Sequence, residues 1–157
     1  MTTAHASRLD RCETQLRDFL AEALRGVPPE SLTKAAVAGK WSAHENLAHL
    51  ARYHQVFLER VGRILGEDAP AFPRYRAEDD PEWPSWSGLP SQQVLARLSS
   101  MRIKLMAKLR SLGEEDFERT GVHPKFGAMS LSLWLEFFLV HEAHHLYVVL
   151  QLVRSGG

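Results

Sequence analysis

The chain has 157 residues, with 19 Lys and Arg against 19 Asp and Glu, a formal charge of zero, so it lacks the basic footprint that nucleic-acid backbones demand. Its length suits one domain, 1–157, which buries about 70 % of the surface its unfolded form exposes and folds without staples. A single cysteine, Cys12, excludes an internal disulfide and fits a reducing, cytoplasmic setting, and neither a secretion signal nor a membrane span is expected: residues 1–10 lack an apolar core, and the hydrophobic stretch 131–153 is broken by Glu136, Glu142 and histidines.

Helical periodicity runs through four segments, and no stretch sustains the alternation of a strand. The first spans about residues 5–25, with Leu9, Cys12, Leu16, Phe19, Leu20 and Leu24 on one side, and stops at Gly26 ahead of Pro28 and Pro29. The second opens at Ser42, which forms a capping-box signature with Glu45, and carries Leu47, Leu50, Phe57, Val61 and Ile64 towards Gly66. The third follows Pro90, with Ser91 as its N-cap, and keeps Val94, Leu98, Met101, Leu105 and Leu109 in period until Gly113. Ser130 opens the fourth, where Trp134, Phe138, His141, His145, Val148 and Leu152 recur at spacings of four and three. Such stripes meet in a bundle core, so the expected fold class is all-α.

The connections 26–41, 67–90 and 112–129 are longer than ordinary bundle turns. A helix of about 24 residues is about 36 Å long, and the 67–90 segment can run back along it. Helices two and three are then parallel and joined by a crossover. With Pro70, Pro73, Pro81, Trp83, Pro84 and Trp86, that segment reads as packed over the bundle rather than as a solvated tether.

The chemistry concentrates in His141-Glu142-Ala143-His144-His145. On a helix, residues four apart share a face, so His141 and His145 present paired imidazoles from core-stripe positions. Burial favours neutral imidazole, the form that binds metals. The string also matches the H-E-x-x-H pattern of zinc proteases, with Glu142 as general base. In those proteases a third ligand lies downstream, yet residues 146–157 contain no His, Asp or Glu. The third ligand therefore comes from upstream, where helix two offers His44, His49 and His54 and the loop before helix four offers His123. Periodicity favours His54, on the stripe of Leu47, Leu50, Phe57 and Val61, over His49, which lies about 100° round from Leu50. His44, in the first turn, is expected to be exposed, as is Glu142 unless it serves as a base. His144 is expected at the rim. Tyr53 and Arg52 are candidates for substrate contact and equally for packing or a solvated face, and Trp83 and Trp86 are read as filling the gap between crossover and bundle, with a cover over the site as the alternative.

The segment Trp41-Ser42-Ala43-His44-Glu45-Asn46-Leu47-Ala48-His49-Leu50, a long middle, and Gly127-Ala128-Met129-Ser130-Leu131 leading into the H-x-x-x-H helix resemble the DinB/YfiT-like family over nearly the whole chain. The resemblance implies a four-helix bundle in up-down-down-up order with the long crossover between helices two and three. It also implies a divalent metal, usually zinc or nickel, held by His49, His141 and His145, with His54 left as a core or supporting histidine. Family members include metal-dependent hydrolases and transferases that use low-molecular-weight thiols, and homodimers are common among them. The expected activity is accordingly that of a metal-dependent hydrolase or thiol transferase acting on a small-molecule substrate. The alternative is a non-catalytic bundle that binds a metal or small ligand.

Overall fold

The structure is a computed structural model that describes residues 2–34 and 37–155. Four long helices form the bundle: α1 (Thr3–Ala23), α2 (Ala43–Gly66), α4 (Ser91–Arg110) and α6 (Leu131–Ser155). Between them lie two short helices, α3 (Trp83–Ser87) and α5 (Glu114–Glu118), and a hairpin of β1 (Thr120–His123) and β2 (Gly127–Ser130). Among the described residues, no helix is long and apolar enough to cross a membrane.

Local chemistry sets the helix ends. The Ser42 hydroxyl accepts from the Glu45 amide at 3.2 Å and the Glu45 carboxylate accepts from the Ser42 amide at 2.8 Å, the capping box expected of this pair. The Ser130 hydroxyl accepts from the Leu133 amide at 3.2 Å as α6 begins. At α4 the expectation is corrected: Pro90 is the N-cap, and Ser91 is the first helical residue, buried with its hydroxyl on His44. Pro90 closes the extended approach to the helix, which frees the Ser91 side chain to bond across to α2.

Residue pairs across the interfaces give the topology. His44 and His54 of α2 meet Ser91 and Arg102 of α4, so both numbers rise together and the two helices are parallel. His5, Arg8 and Gln15 of α1 meet Ser132, Glu136 and Glu142 of α6, again in parallel. By contrast Asn46, His49 and Phe57 of α2 meet His145, His141 and Phe138, an antiparallel pair. The order is up-down-down-up, with 67–90 as the crossover, as expected.

Two apolar clusters fill the bundle. One is built around Phe57, Val61, Ile64, Leu105, Trp134 and Phe138, the other around Leu47, Leu50, Val94, Leu98, Leu146 and Val149. Polar groups from all four long helices also meet inside the bundle: the half-buried Gln15 and the buried His54, Arg102 and Glu142.

The hairpin departs from the expectation of helix and loop alone. Its four-residue strands are too short to show alternation, and tertiary contacts hold them. Val122 donates to the Pro70 carbonyl at 2.8 Å and accepts from Phe72 at 3.0 Å, which clamps the start of the crossover onto β1. Gly121 permits this close approach, because a Cβ there would lie 2.8 Å from the Phe72 ring and 2.9 Å from Ile64.

Candidate metal centre

The antiparallel contact of α2 and α6 brings three imidazoles together. His49 from α2 and His141 and His145 from α6 offer nitrogens that all lie within 4.8 Å of one another. Their ring centres are 4.5 to 5.1 Å apart, and the Nε2 atoms of His49 and His141 face each other at 3.1 Å. Three metal–nitrogen bonds of about 2.0–2.1 Å in tetrahedral geometry would space their nitrogens by about 3.3 Å, so the donor set suits a divalent ion with small rotamer adjustments.

Burial keeps these rings neutral. It lowers the pKa of His49 to about 3, with the His145 charge adding to the effect, and that of His141 to about 2, with the neighbouring histidines and Arg60 contributing. His145 is lowered to about 4 by burial and then by His144. The tautomer of His145 follows from its neighbours. The Ser42 carbonyl can only accept, so it takes the Asn46 amide at 2.9 Å and turns the Asn46 Oδ1 towards His145. That oxygen accepts from Nδ1 of His145 at 2.8 Å, which leaves Nε2 as the lone-pair nitrogen. The Nδ1 atoms of His49 and His141 are buried without a hydrogen-bond partner among the described residues.

Aromatic rings wall the cluster. Trp41 lies 5.0 Å from His49, and Trp83 stacks on Trp41 at 5.2 Å. Tyr53 lies 4.4 Å from His141, and Tyr75 from the crossover lies 5.7 Å from His49. The crossover is pinned there: Arg52 donates to Asp80 at 2.7 Å, and the Tyr75 hydroxyl donates to the same carboxylate at 3.0 Å. Beyond the histidines a cleft of about 910 Å³ opens, lined also by Arg60, Arg74, Arg76 and Lys125.

The other candidates fall elsewhere. His54 is fully buried, donating from Nδ1 to the Leu50 carbonyl at 2.7 Å and accepting from Arg102 at 3.0 Å, so both its nitrogens are engaged. Helical periodicity favours it over His49 because periodicity assumes one buried face. The first half of α2 has no such face, since α4, α6 and α3 cover it together and residues 46–54 are all buried. His44 is buried rather than exposed, held between the Ser91 hydroxyl and the Ser87 carbonyl at 2.8 Å each. Glu142 is neither at the surface nor part of the three-histidine cluster: it is 0 % exposed, bonded to Arg102 and, at 3.0 Å, to Gln15, with Nε2 of His54 3.6 Å away. It sits one residue on from His141, and that step turns it towards α1 and α4. His144 is exposed next to His145, while His5 is buried against Ser132 and Phe117. Of the aromatic pair in the crossover, Trp83 lies 6.4 Å from His49, whereas Trp86 is buried under Arg97.

Tyr75 and Arg60 line the cleft without having been singled out from sequence, and His123, offered there as a third ligand, lines it outside the three-histidine cluster. For Arg60 a signal exists: it is a cation three residues after Phe57 and four before Ile64, on the apolar face of α2. His123 and Tyr75 stand in irregular or short segments where position carries no periodic information.

A four-helix bundle in this order, with a three-histidine centre at the junction of its second and last long helices, is the class that fold and site define. The model of the DinB superfamily matches residues 13–149, and the chain belongs to that superfamily. YuaE of Bacillus subtilis (strain 168) is 31 % identical over 135 residues, covering 78 % of this chain and 83 % of YuaE. A protein of Oceanobacillus iheyensis named "Putative metal-dependent hydrolase OB0782" is 27 % identical over 127 residues, covering 80 % of this chain and 72 % of its own. The structure of YfiT from Bacillus subtilis, described as a probable metal-dependent hydrolase with an unusual four-helix bundle topology, superposes with a TM-score of 0.79. That match covers 99 % of this chain and 89 % of YfiT at 21 % identity, and what it carries is the fold.

Proposed function

We propose that this chain is a divalent-metal-dependent hydrolase of a small-molecule substrate, with His49, His141 and His145 as the metal ligands. The observation that carries the reading is the convergence of three neutral imidazoles, His49 buried and His141 and His145 half-buried, on one side of an open cleft. An ion on three protein nitrogens, zinc or nickel as the family resemblance implies, would keep a position for an exchangeable ligand and lower the pKa of a water or thiol there. The names carried by relatives such as the Oceanobacillus protein point the same way.

The residues of the chain supply the setting. Asn46 orients His145, Trp41 and Tyr53 shield the imidazoles from bulk water, and the Arg52–Asp80–Tyr75 contacts hold the crossover against the cleft. Substrate enters from the side lined by Arg74, Arg76 and Lys125.

One observation favours a second reading, transfer of a low-molecular-weight thiol. Glu142 is turned into the bundle, and among the described residues the one carboxylate lining the cleft is the exposed Glu78. A thiol loses its proton on coordination without a carboxylate base. The thiol would come from outside the chain, because Cys12 is fully buried and its pKa is pushed up to about 11 by burial.

The test is a panel of esters and amides, and separately of electrophiles with glutathione, mycothiol or bacillithiol, with zinc- or nickel-loaded protein. Turnover without thiol that is lost in His141→Ala supports hydrolysis, and turnover only with thiol supports transfer. Inactivity in both modes, in protein saturated with metal and lacking an exchangeable ligand, overturns both in favour of a binding role.

A further inference from the structure

Arg60 is a buried cation without an anion among the described residues. The residue is 7 % exposed, lines the histidine cleft, and donates from Nη2 to the Pro73 carbonyl at 2.9 Å. The other buried arginines are each matched by a carboxylate: Arg52 by Asp80, Arg102 by Glu142. The titratable groups that favour the charge on Arg60 are the phenols of Tyr53 and Tyr75, and burial lowers its pKa from the usual arginine value. Its guanidinium carbon lies 6.0 Å from the Tyr53 ring, 5.3 Å from Phe72 and 5.5 Å from Trp134. These ring faces return only part of the hydration that a guanidinium gives up on burial.

The surroundings point to an external anion. Arg74 and Lys125 line the same cleft against the exposed Glu78, while Arg76 pairs with Asp79 at 3.6 Å, so together with Arg60 the opening still carries excess positive charge, which concentrates anions at its mouth. Tyr53 lies between the cation and the imidazoles, 6.0 Å from the Arg60 guanidinium carbon and 4.4 Å from the His141 ring. A single phenol thus separates the two. A planar guanidinium offers paired donors that match the two oxygens of a carboxylate or phosphate.

We propose that Arg60 is the anion-binding residue of the cleft, taking the carboxylate or phosphate group of a small ligand whose other end lies at His49, His141 and His145. This deepens the enzymatic reading of the same cleft by giving its substrate or thiol an anionic group. Arg60 serves recognition and the histidines serve the reacting end.

Metal-free protein, titrated with inorganic phosphate, succinate or uncharged succinamide at low ionic strength and followed by the 15N resonances of arginine Nε–H groups, tests the proposal apart from any metal chemistry. Phosphate or succinate should shift the Arg60 resonance saturably while succinamide does not, and the anion acting at lower concentration identifies the class. Arg60→Lys should weaken binding about tenfold and Arg60→Gln more, since the first keeps the charge and loses the fork. Arg17→Gln, on the exposed side of α1, should leave it unchanged. An Arg60 resonance unmoved by tens of millimolar of either anion, or moved equally by succinamide, overturns the proposal even if neither variant folds. So does unaltered binding in a folded Arg60→Gln. Failure of metal binding at the histidines would leave these outcomes intact.

Discussion

Asn46 Oδ1 accepts from Nδ1 of His145 at 2.8 Å, and this contact decides which face of the imidazole is available to the cluster. Asn46 belongs to the same helix as His49, one turn earlier, so α2 supplies both a candidate ligand and the group that orients another. Replacing Asn46 by Ala should therefore weaken metal affinity by about 10–100-fold while the fold persists, as losing an outer hydrogen bond to a ligand does elsewhere. Competition with a calibrated chelator measures it. Unchanged affinity would show that packing alone orients His145.

Metal stoichiometry separates the histidines. One ion per chain is expected in the wild type, with sharply reduced occupancy in His49→Ala, His141→Ala or His145→Ala and full occupancy in His144→Ala or His5→Ala. His54→Ala is the informative control, because His54 stands on the stripe of α2 yet spends both nitrogens on Leu50 and Arg102. Occupancy that survives loss of His49 but not of His54, in folded variants, would reverse the ligand assignment.

Glu142 should prove structural. Burial pushes its carboxyl pKa up while Arg102 and Gln15 pull it down, and the pair is closed off from solvent. Removing one partner of a buried pair leaves the other uncompensated, at a cost of about 3–5 kcal/mol. Glu142→Leu is expected to lose stability on that scale in urea unfolding, yet to bind metal at the wild-type ratio at temperatures where it is folded. Wild-type stability together with loss of metal would return Glu142 to the site.

What the sequence disclosed, and what it hid, divides along the range of the interaction. The Ser42–Glu45 box, the stop at Gly26 and the stripe through Trp134 and Phe138 are local, and the crossover follows from length alone. The hairpin at 120–130 was hidden because its support is Pro70 and Phe72, some fifty residues away. His44 and Glu142 share this history: each is a polar residue whose partners, Ser91 and Arg102, lie on another helix. At His49 the residues favoured His54 and only the family resemblance pointed to it, since a helix buried on three sides has no stripe to read.

The stability of the metal-free protein should fall on acidification, with His54 a definable part of the effect. The Leu50 carbonyl takes the Nδ1 proton and Arg102 donates to Nε2, so the native state holds a neutral ring, and burial lowers its pKa from 6.5 to about 3. The unfolded chain binds a proton at this residue below about 6.5 that the folded chain refuses until about 3. Its contribution is thus fully present above pH 6.5 and is lost progressively as pH falls. His49, His141 and His145 act in the same direction in the metal-free state, while the raised carboxyl of Glu142 acts oppositely. Comparison with His54→Gln, which keeps an amide oxygen for Arg102, isolates the one group. Between about pH 6 and 4 the variant should show a shallower dependence by nearly one proton, about 1.4 kcal/mol per pH unit. Urea unfolding of both proteins at pH 7, 6 and 5 with chelator present measures the difference, and parallel curves would mean that His54 is protonated in the native state.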